Sequence, residues 1–479
     1  MRHDIRKVAI VGAGPAGIAT AKHLRAERHC ELIDIFEQQA TTGGVWNYST
    51  YAPSDELSVP QTNPHQPLRE PQWQRSIGPD ATAPKPAFAT PMYDRLESNL
   101  PHFLMKHSDD DSLQDQPLFA GRESVLEYLN RYADDVRRLI KFQTQVYDIR
   151  KKSDGDGDTW LVCTRDLRSS KVSERLYDAV VVASGKHSVP LLPDVPGIRA
   201  WDTEYPGIIT HSMYYRKPDS FKEKKVLVVG NSYSGLDIAN QISTVSKHPV
   251  WNSERSKKPD LESSESWKKV VPEVAQFISS TEAPRALRFA DGQVVSEVDA
   301  IVFCTGYYYS FSFLSSLQPP VIVTGERAEN LYQHIFYIDH PSIAFVGMPF
   351  KVIPFRTWEG QAAVIARVWS GRLDLPRKQE MRAWESGRIA DRGADRKFHD
   401  LGKLEDFRYH NDLVDWAQQA MPREGDRTPP KWSERDAWVR KNIAAIKKAF
   451  TDKGDARHLV RSIEEIGFEF QGGDTTKAF

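Results

Sequence analysis

Four short apolar runs, each leading into a glycine-bearing turn, divide the chain: Lys7–Val11, Asp178–Ala183, Lys225–Val229 and Ala300–Phe303. Within none of them do polar and apolar residues alternate, which predicts strands buried on both faces, as in a parallel sheet covered by other layers. After the first run a helical stretch covers Ile18–Glu27 and a second strand covers Glu31–Phe36, so the chain opens with a βαβ unit. After the third run a helix is expected over Leu236–Ser243. Helical spacing returns over Ser124–Tyr132. Strands are expected over Phe142–Ile149 and Thr159–Thr164, joined by an Asp/Gly-rich turn at 153–157.

Two stretches follow neither period. Tyr51 to Pro91 holds nine prolines and few aliphatic residues, which predicts a long irregular excursion; a functional loop and a disordered tip both fit it. Pro190 to Gly197 reads as a crossing between domains. The last third is mixed and ends in a charged amphipathic helix near Glu434 to Phe450. The two glycine-rich βα units, at Gly12 and Gly230, are the only self-similarity.

Gly12-Ala13-Gly14-Pro15-Ala16-Gly17 lies between a strand and a helix, and Glu37 closes the next strand twenty positions after Gly17. That context makes a common glycine pattern a dinucleotide fingerprint. Gly12 allows the tight turn, Gly14 the approach of a pyrophosphate, and Gly17 the close packing of helix on strand. Glu37 is placed to accept from ribose hydroxyls. The helix opens at Pro15-Ala16, and its N-terminus presents N–H donors and a positive dipole end to phosphate. Gly43-Gly44-Val45-Trp46 comes six residues after Glu37. It reads either as backbone brought near a cofactor's ribityl chain with Trp46 lining it, or as a glycine turn beside a core tryptophan.

Gly230-Asn231-Ser232-Tyr233-Ser234-Gly235 implies a second nucleotide. Ser232 stands where glycine is commoner, so backbone approach is tighter and Ser232 and Ser234 offer hydroxyls instead. No carboxylate is expected at the end of the second strand of this unit. Val250 to Lys258 is basic, and Arg255 with Lys257 and Lys258 suits a 2′-phosphate, which favours NADPH over NADH. Any one of these cations, taken alone, fits a solvated loop equally well. Two dinucleotide units in one chain point to hydride transfer from a nicotinamide to a flavin held by the first unit.

Composition narrows the choice of partner, acceptor and compartment. With 64 Lys+Arg against 65 Asp+Glu in 479 residues, no basic field favours nucleic acid or anionic lipid. Hydrophobic residues at 40% and charged ones at 27% are those of a soluble globular protein, and the length predicts two or three domains. Cys30, Cys163 and Cys304 lie far apart, with no disulfide framework, zinc spacing or redox pair. A disulfide reductase is thereby removed, and dioxygen or another acceptor is left for the reduced flavin. No apolar run reaches the roughly 18 residues of a membrane span, and the N-terminus enters the glycine motif, not a leader. A cytoplasmic setting is expected.

With both motifs and the segment between them in view, the chain resembles the flavin-containing monooxygenases, above all the soluble yeast-type fungal members. The family fingerprint FxGxxxHxxx(F/Y) stands here as Tyr205-Pro206-Gly207-Ile208-Ile209-Thr210-His211-Ser212-Met213-Tyr214-Tyr215, with Tyr replacing the first Phe. Baeyer–Villiger relatives end it in Trp, so Tyr215 argues against them. Ala183-Ser184-Gly185 and Cys304-Thr305-Gly306-Tyr307 look like the family's two interdomain linkers, and Leu96-Glu97-Ser98-Asn99-Leu100-Pro101 like its L-x-[TS]-N-x-P segment. Leu331 to Phe336 and Ala366 to Gly371 also look like family segments. The resemblance implies a catalytic Asn99 beside flavin and nicotinamide, although before Leu-Pro alone it reads as a turn residue. It implies that Gln361 touches the flavin and that the Val146 backbone meets the adenine of FAD. Tyr215, Tyr233, Thr305 and Gly306 join the cofactor surroundings. His211 is read as an organiser of the domain interface, a core or hinge residue.

The fold so implied is α/β, with two Rossmann-like dinucleotide-binding domains in three layers (ββα/βαβ), the second inserted into the first. Residues 1–184 with the Pro-rich loop 51–91 form the first part of the FAD domain, 185–306 the NADPH domain, and 307–479 the FAD continuation and C-terminal helices. The activity implied is an FAD- and NADPH-dependent monooxygenase. In it a C4a-hydroperoxyflavin, shielded by Asn99 and retained NADP⁺, passes oxygen to sulfur or nitrogen of a small nucleophile. Baeyer–Villiger oxygenation on the same scaffold is the alternative, and a flavin-bound redox sensor a reading from another class. No metal is expected. Substrate and oligomeric state, a homodimer included, stay open.

Overall fold

The computed structural model describes residues 4–53, 56–74, 84–152, 158–255, 266–402 and 404–472. The opening βαβ unit is β1 (Lys7–Val11), α1 (Pro15–Glu27) and β2 (Leu32–Phe36), its strands parallel and in register from Lys7↔Leu32 to Val11↔Phe36. α1 starts three residues before the apolar spacing indicates, because Pro15 at its first position needs no N–H and carries a helical φ. α2 (Arg122–Tyr132) follows the Pro-rich excursion, in which a short hairpin pairs Gln72–Gln74 with Lys85–Ala87. β3 (Ile140–Lys141) extends the sheet beside β2, and β4 (Ala179–Val182) lies on the other side of β1, both parallel to their neighbours.

The chain then leaves this sheet and builds a second one. β5 (Ile209–His211), β6 (Val226–Val229), α3 (Tyr233–Ser243), β7 (Val250–Ser253), β8 (Lys268–Val271) and β9 (Ala300–Phe303) give the all-parallel order β5-β9-β6-β7-β8. It returns as β10 (Leu331–Tyr332), β11 (Phe336–Tyr337) and β12 (Ile343–Phe345), and β12 runs parallel to β4. The first sheet is therefore β10-β11-β12-β4-β1-β2-β3, completed by residues on both sides of the inserted domain.

The pleat assigns each apolar run to two layers. Val8, Ile10, Ile33, Ile35 and Val181 bury against α1, α4 (Pro354–Trp369) and α5 (Glu405–Gln418). Their neighbours Ala9, Val11, Phe36, Val180 and Val182 bury against the antiparallel sheet Thr144–Lys152, Thr159–Asp166 and Val172–Tyr177, through Val146, Ile149, Trp160, Val162 and Tyr177. In the second domain Val226, Val228, Ala300 and Val302 meet α3, while Leu227, Ile301 and Phe303 meet Trp201, Phe277, Leu287 and Phe289. Each valine, isoleucine, leucine or phenylalanine side chain so taken from water contributes about 1.5–3 kcal/mol, which is why both faces of these strands are apolar.

The expected turn at 153–157 and the lysines Lys257 and Lys258 lie outside the described residues. The single C-terminal helix expected is two, Glu434–Lys441 and Ile443–Thr451, meeting at Asn442, with Ser433 and Asp436 forming a capping box on the first. Among the described residues no helix is long and apolar enough to cross a membrane, and no cluster has the ligands for a metal ion.

Candidate cofactor and active site

The first glycine turn is held by sterics that only glycine satisfies. At Gly12, φ is +104° and an added Cβ would fall 2.6 Å from the Ala183 carbonyl oxygen; at Gly17 it would fall 1.9 Å from that of Gly12. Gly14 is different, since the nearest atom to a Cβ there is Gly44 Cα at 3.5 Å. Packing within the chain therefore leaves room for a side chain there. Gly43 N–H donates to Ala13 C=O at 3.1 Å, and Gly44 (φ +56°) packs on Gly14, so the Gly44–Trp46 turn caps this loop. Val45 and Trp46 are half-buried beside it, and Trp46 also packs on the cluster of Met105, Tyr128 and Phe355.

Glu37 stands one residue past β2. Its carboxylate accepts from the backbone N–H groups of Ala13 and Gln39, each at 2.8 Å, and burial raises its pKa. Its remaining lone pairs are available to hydroxyls. No side chain caps α1 and no acid lies in its first turn, so the positive helix end stays uncompensated. Val146 is buried in the strand beside this edge, and Thr144 N–H donates to Glu37 C=O at 2.9 Å. Glycine cradle, free helix end and ribose-accepting carboxylate together fit the pyrophosphate and ribose of FAD.

The second turn repeats this frame. An added Cβ at Gly230 (φ +114°) would meet the Cys304 carbonyl oxygen at 2.7 Å, and one at Gly235 that of Gly230 at 2.1 Å. Ser232 occupies the N-cap position without using its hydroxyl there, and Ser232, Tyr233 and Ser234 are exposed. The expected absence of a carboxylate at the strand end is corrected by the structure: β7 ends at Ser253 and Glu254 succeeds it directly, accepting from the Asn231 side-chain amide. Taking Val250 to Lys258 as one basic unit hides this acid, because the strand edge falls inside that stretch. Glu254 stands nineteen positions after Gly235, against the twenty between Gly17 and Glu37. Arg255 is exposed next to it.

Asn99 lies on a segment tied to both domains. Ser98 N–H donates to Ala120 C=O at 2.8 Å on the first-domain side, while the Tyr93 hydroxyl donates to Asp237 and Gln241 donates to Arg95 C=O at 3.3 Å, strapping the segment to α3. Beneath it Lys447 reaches Ser98 C=O at 3.2 Å, and Glu97 pairs with both Lys447 and Arg457. The Asn99 side chain is exposed, and among the described residues its amide has no hydrogen-bonding partner.

Other predicted residues fall in the supporting structure. His211 is buried at the end of β5, its Nδ1 accepting from Met213 N–H at 3.1 Å, and desolvation lowers its pKa to about 3, so the ring is neutral. Tyr215 is buried against Tyr93, and its hydroxyl donates to Gln241 at 3.1 Å on α3. Thr305 donates to Leu191 C=O, and Gly306 C=O accepts from Leu191 N–H at 2.9 Å. Val189–Pro190 pairs antiparallel with Tyr307–Tyr308. The outgoing and returning linkers are therefore one two-stranded ribbon, and Arg396 braces it through the carbonyls of Thr305 and Tyr307. Gln361 is fully buried in α4 with both ends of its amide used, accepting from Gly347 N–H and donating to Tyr409, each at 2.9 Å. It positions the Gly347–Pro349 segment. Lys186, unmarked by any motif, secures the same segment by donating to the carbonyls of Gly347, Met348 and Pro349.

Comparison with known proteins agrees with this arrangement. A family model described as flavin-binding monooxygenase-like matches residues 87–258 and 267–411, and an NAD(P)-binding Rossmann-like domain matches residues 10–70. The flavin-containing monooxygenase FMO GS-OX-like 2 of Arabidopsis thaliana is 31% identical, the match covering 95% of this chain and 93% of that protein. The thiol-specific monooxygenase of Saccharomyces cerevisiae is 30% identical over 96% and 94% of the two chains. The structure of S-allyl-L-cysteine S-oxygenase from Allium sativum superimposes with a TM-score of 0.76 at 27% identity, covering 97% of this chain and 98% of that one. The chain belongs to the flavin-binding monooxygenase-like family and is an FAD- and NADPH-dependent flavin-containing monooxygenase.

Proposed function

We propose that FAD lies in the first glycine-rich unit, NADPH at the second, and that their reacting rings meet beside Asn99, where a small thiol or thioether is oxygenated at sulfur. The observation that carries this reading is the unpartnered Asn99 amide on a segment tied to the first domain through Ser98 and to α3 through Tyr93. Sulfur is favoured over amine nitrogen because relatives over nearly the full chain are named for thiols and for S-allyl-L-cysteine.

When bound, the nicotinamide supplies hydride and the flavin carries the electron pair to dioxygen, one oxygen atom going to the substrate and the other to water. The chain's own residues position and shield. Asn99 both donates and accepts, so it orients the reacting groups and occupies positions that water would take. Glu37 and the free end of α1 hold the flavin nucleotide. His211, kept neutral by burial, and Tyr215 maintain the hinge and α3 without moving protons. A cytoplasmic setting belongs to the same reading and is supported by three unpaired cysteines.

The test is Asn99→Ala in the flavin-loaded enzyme. Flavin content and the rate of NADPH-driven bleaching are expected to stay unchanged, while sulfoxide per NADPH falls roughly tenfold or more and hydrogen peroxide takes its place. Unchanged coupling removes Asn99 from the site. Faster turnover of tertiary amines than of matched thioethers overturns the preference for sulfur.

A further inference from the structure

Glu254 is the structural counterpart of Glu37. Gly12 N–H donates to Phe36 C=O and Gly230 N–H to Ser253 C=O, both at 2.8 Å, so the residue after each acceptor stands at the same place relative to its glycine turn. Glu37 N–H donates to Lys141 C=O and Glu254 N–H to Val271 C=O, both at 3.0 Å, which orients the two residues alike on their sheets. Each carboxylate then reaches back to the residue after the first glycine, Glu37 to the Ala13 backbone and Glu254 to the Asn231 side chain. In this frame a strand-end carboxylate accepts from the 2′-hydroxyl of the adenosine ribose, and a 2′-phosphate at that place meets a like charge.

Cations share the position. Arg255 is the next residue and is exposed, and among the described residues it forms no ion pair. Lys268, which opens β8, approaches the Asn231 side-chain oxygen at 3.5 Å. A hydroxyl-accepting carboxylate and a phosphate-pairing guanidinium thus stand side by side at one strand end.

We propose that Glu254 makes this monooxygenase accept NADH as well as NADPH, with the Glu254 carboxylate taking the ribose 2′-hydroxyl of the unphosphorylated dinucleotide and Arg255 taking the 2′-phosphate of the other. This rests on the second unit's holding the nicotinamide dinucleotide. The same oxygenation then draws on either reductant pool.

The test is equilibrium titration of the flavin-loaded protein with NAD⁺ and with NADP⁺, read by fluorescence quenching, for the wild type, Glu254→Gln and Arg255→Gln. The wild type is expected to bind both with dissociation constants within about tenfold of each other. Glu254→Gln weakens NAD⁺ roughly tenfold and tightens NADP⁺, as loss of a charge-assisted hydrogen bond and of a like charge requires. Arg255→Gln weakens NADP⁺ alone, and as an exposed substitution it tests the same site should Glu254→Gln fail to load flavin. NADP⁺ binding with no measurable NAD⁺ binding overturns the proposal while leaving the second-unit assignment in place. So does an affinity ratio unmoved by either substitution. Binding of neither dinucleotide to yellow protein overturns the assignment and the proposal together.

Discussion

The two glycine-rich turns share one backbone frame and differ in surroundings. From Ala13 through Thr20 the first turn and helix are buried, whereas Asn231 through Ser234 are exposed and only Gly235 is covered. The cover on the first turn and helix comes from other segments: Gly44 lies on Gly14, and α4 packs on α1 with α5 packed in turn on α4. Among the described residues the second turn has no such lid, and Tyr233 and Leu236, large apolar residues of the first turn of α3, stay 49% and 42% exposed. The same local geometry thus stands once enclosed and once open. Burial around the motif, and not the motif, makes that difference.

Substitution at the third glycine of each unit gives the largest expected contrast. Gly17→Ala drives a methyl into the Gly12 carbonyl inside the main core, costing ~3 kcal/mol or more, so soluble, yellow protein is expected to be lost. Gly235→Ala makes the same clash with Gly230 in the open unit. Yellow protein is expected there, with NADP⁺ affinity down by a factor of about 100 and the melting temperature lowered less. Equal loss of flavin in both variants would erase the distinction between the two units.

The middle glycine sharpens it. A methyl at Gly14 has room against Gly44, so Gly14→Ala is expected to fold with near-native circular dichroism yet emerge colourless, because the space it fills is the pyrophosphate's. Full flavin retention would place the phosphates elsewhere. At the equivalent Ser232 a side chain is already present, and Ser232→Ala is expected to change NADP⁺ affinity no more than severalfold.

A further effect concerns a buried acid on the enclosed side. Glu359 in α4 accepts from both the N–H and the hydroxyl of Ser108 at 2.9 Å, and burial pushes its pKa up to about 7. The folded state therefore keeps a proton that the unfolded chain releases near pH 4–5, so stability falls as pH rises from there to about 7 and is flat above. Glu359→Gln is expected to remove that slope, worth roughly 3 kcal/mol across the window, in urea melts at several pH values. An unaltered slope would show that the carboxyl is ionised when folded.

Much of the cofactor frame was legible because it is local. Gly17 and Gly235 are fixed by the carbonyls of Gly12 and Gly230 within the same turn, while Ala183 and Cys304, which crowd Gly12 and Gly230, come from far along the chain; the apolar runs flanking the turns carry the parallel-sheet signal. Glu254 was equally local and is hidden when charge is read over a window wider than the strand. Gln361 shows what a motif leaves open. A motif position does not tell which way an amide points, and here Gly347 and Tyr409, from separate elements, take both of its ends. Lys186 and the Lys447 contact beneath Asn99 belong to no motif, since their partners are backbone carbonyls supplied by distant segments.

Taken alone, the amino-acid order determined two strand–glycine–helix units, because φ, the clashes of Gly17 with Gly12 and of Gly235 with Gly230, and apolar runs act over a few residues. Only the tertiary structure decided which unit is enclosed, that the two linkers pair as one ribbon, and that Asn99 faces outward between domains. Those features depend on where segments hundreds of residues apart come to rest, and burial and free hydrogen-bonding capacity exist only after they have packed.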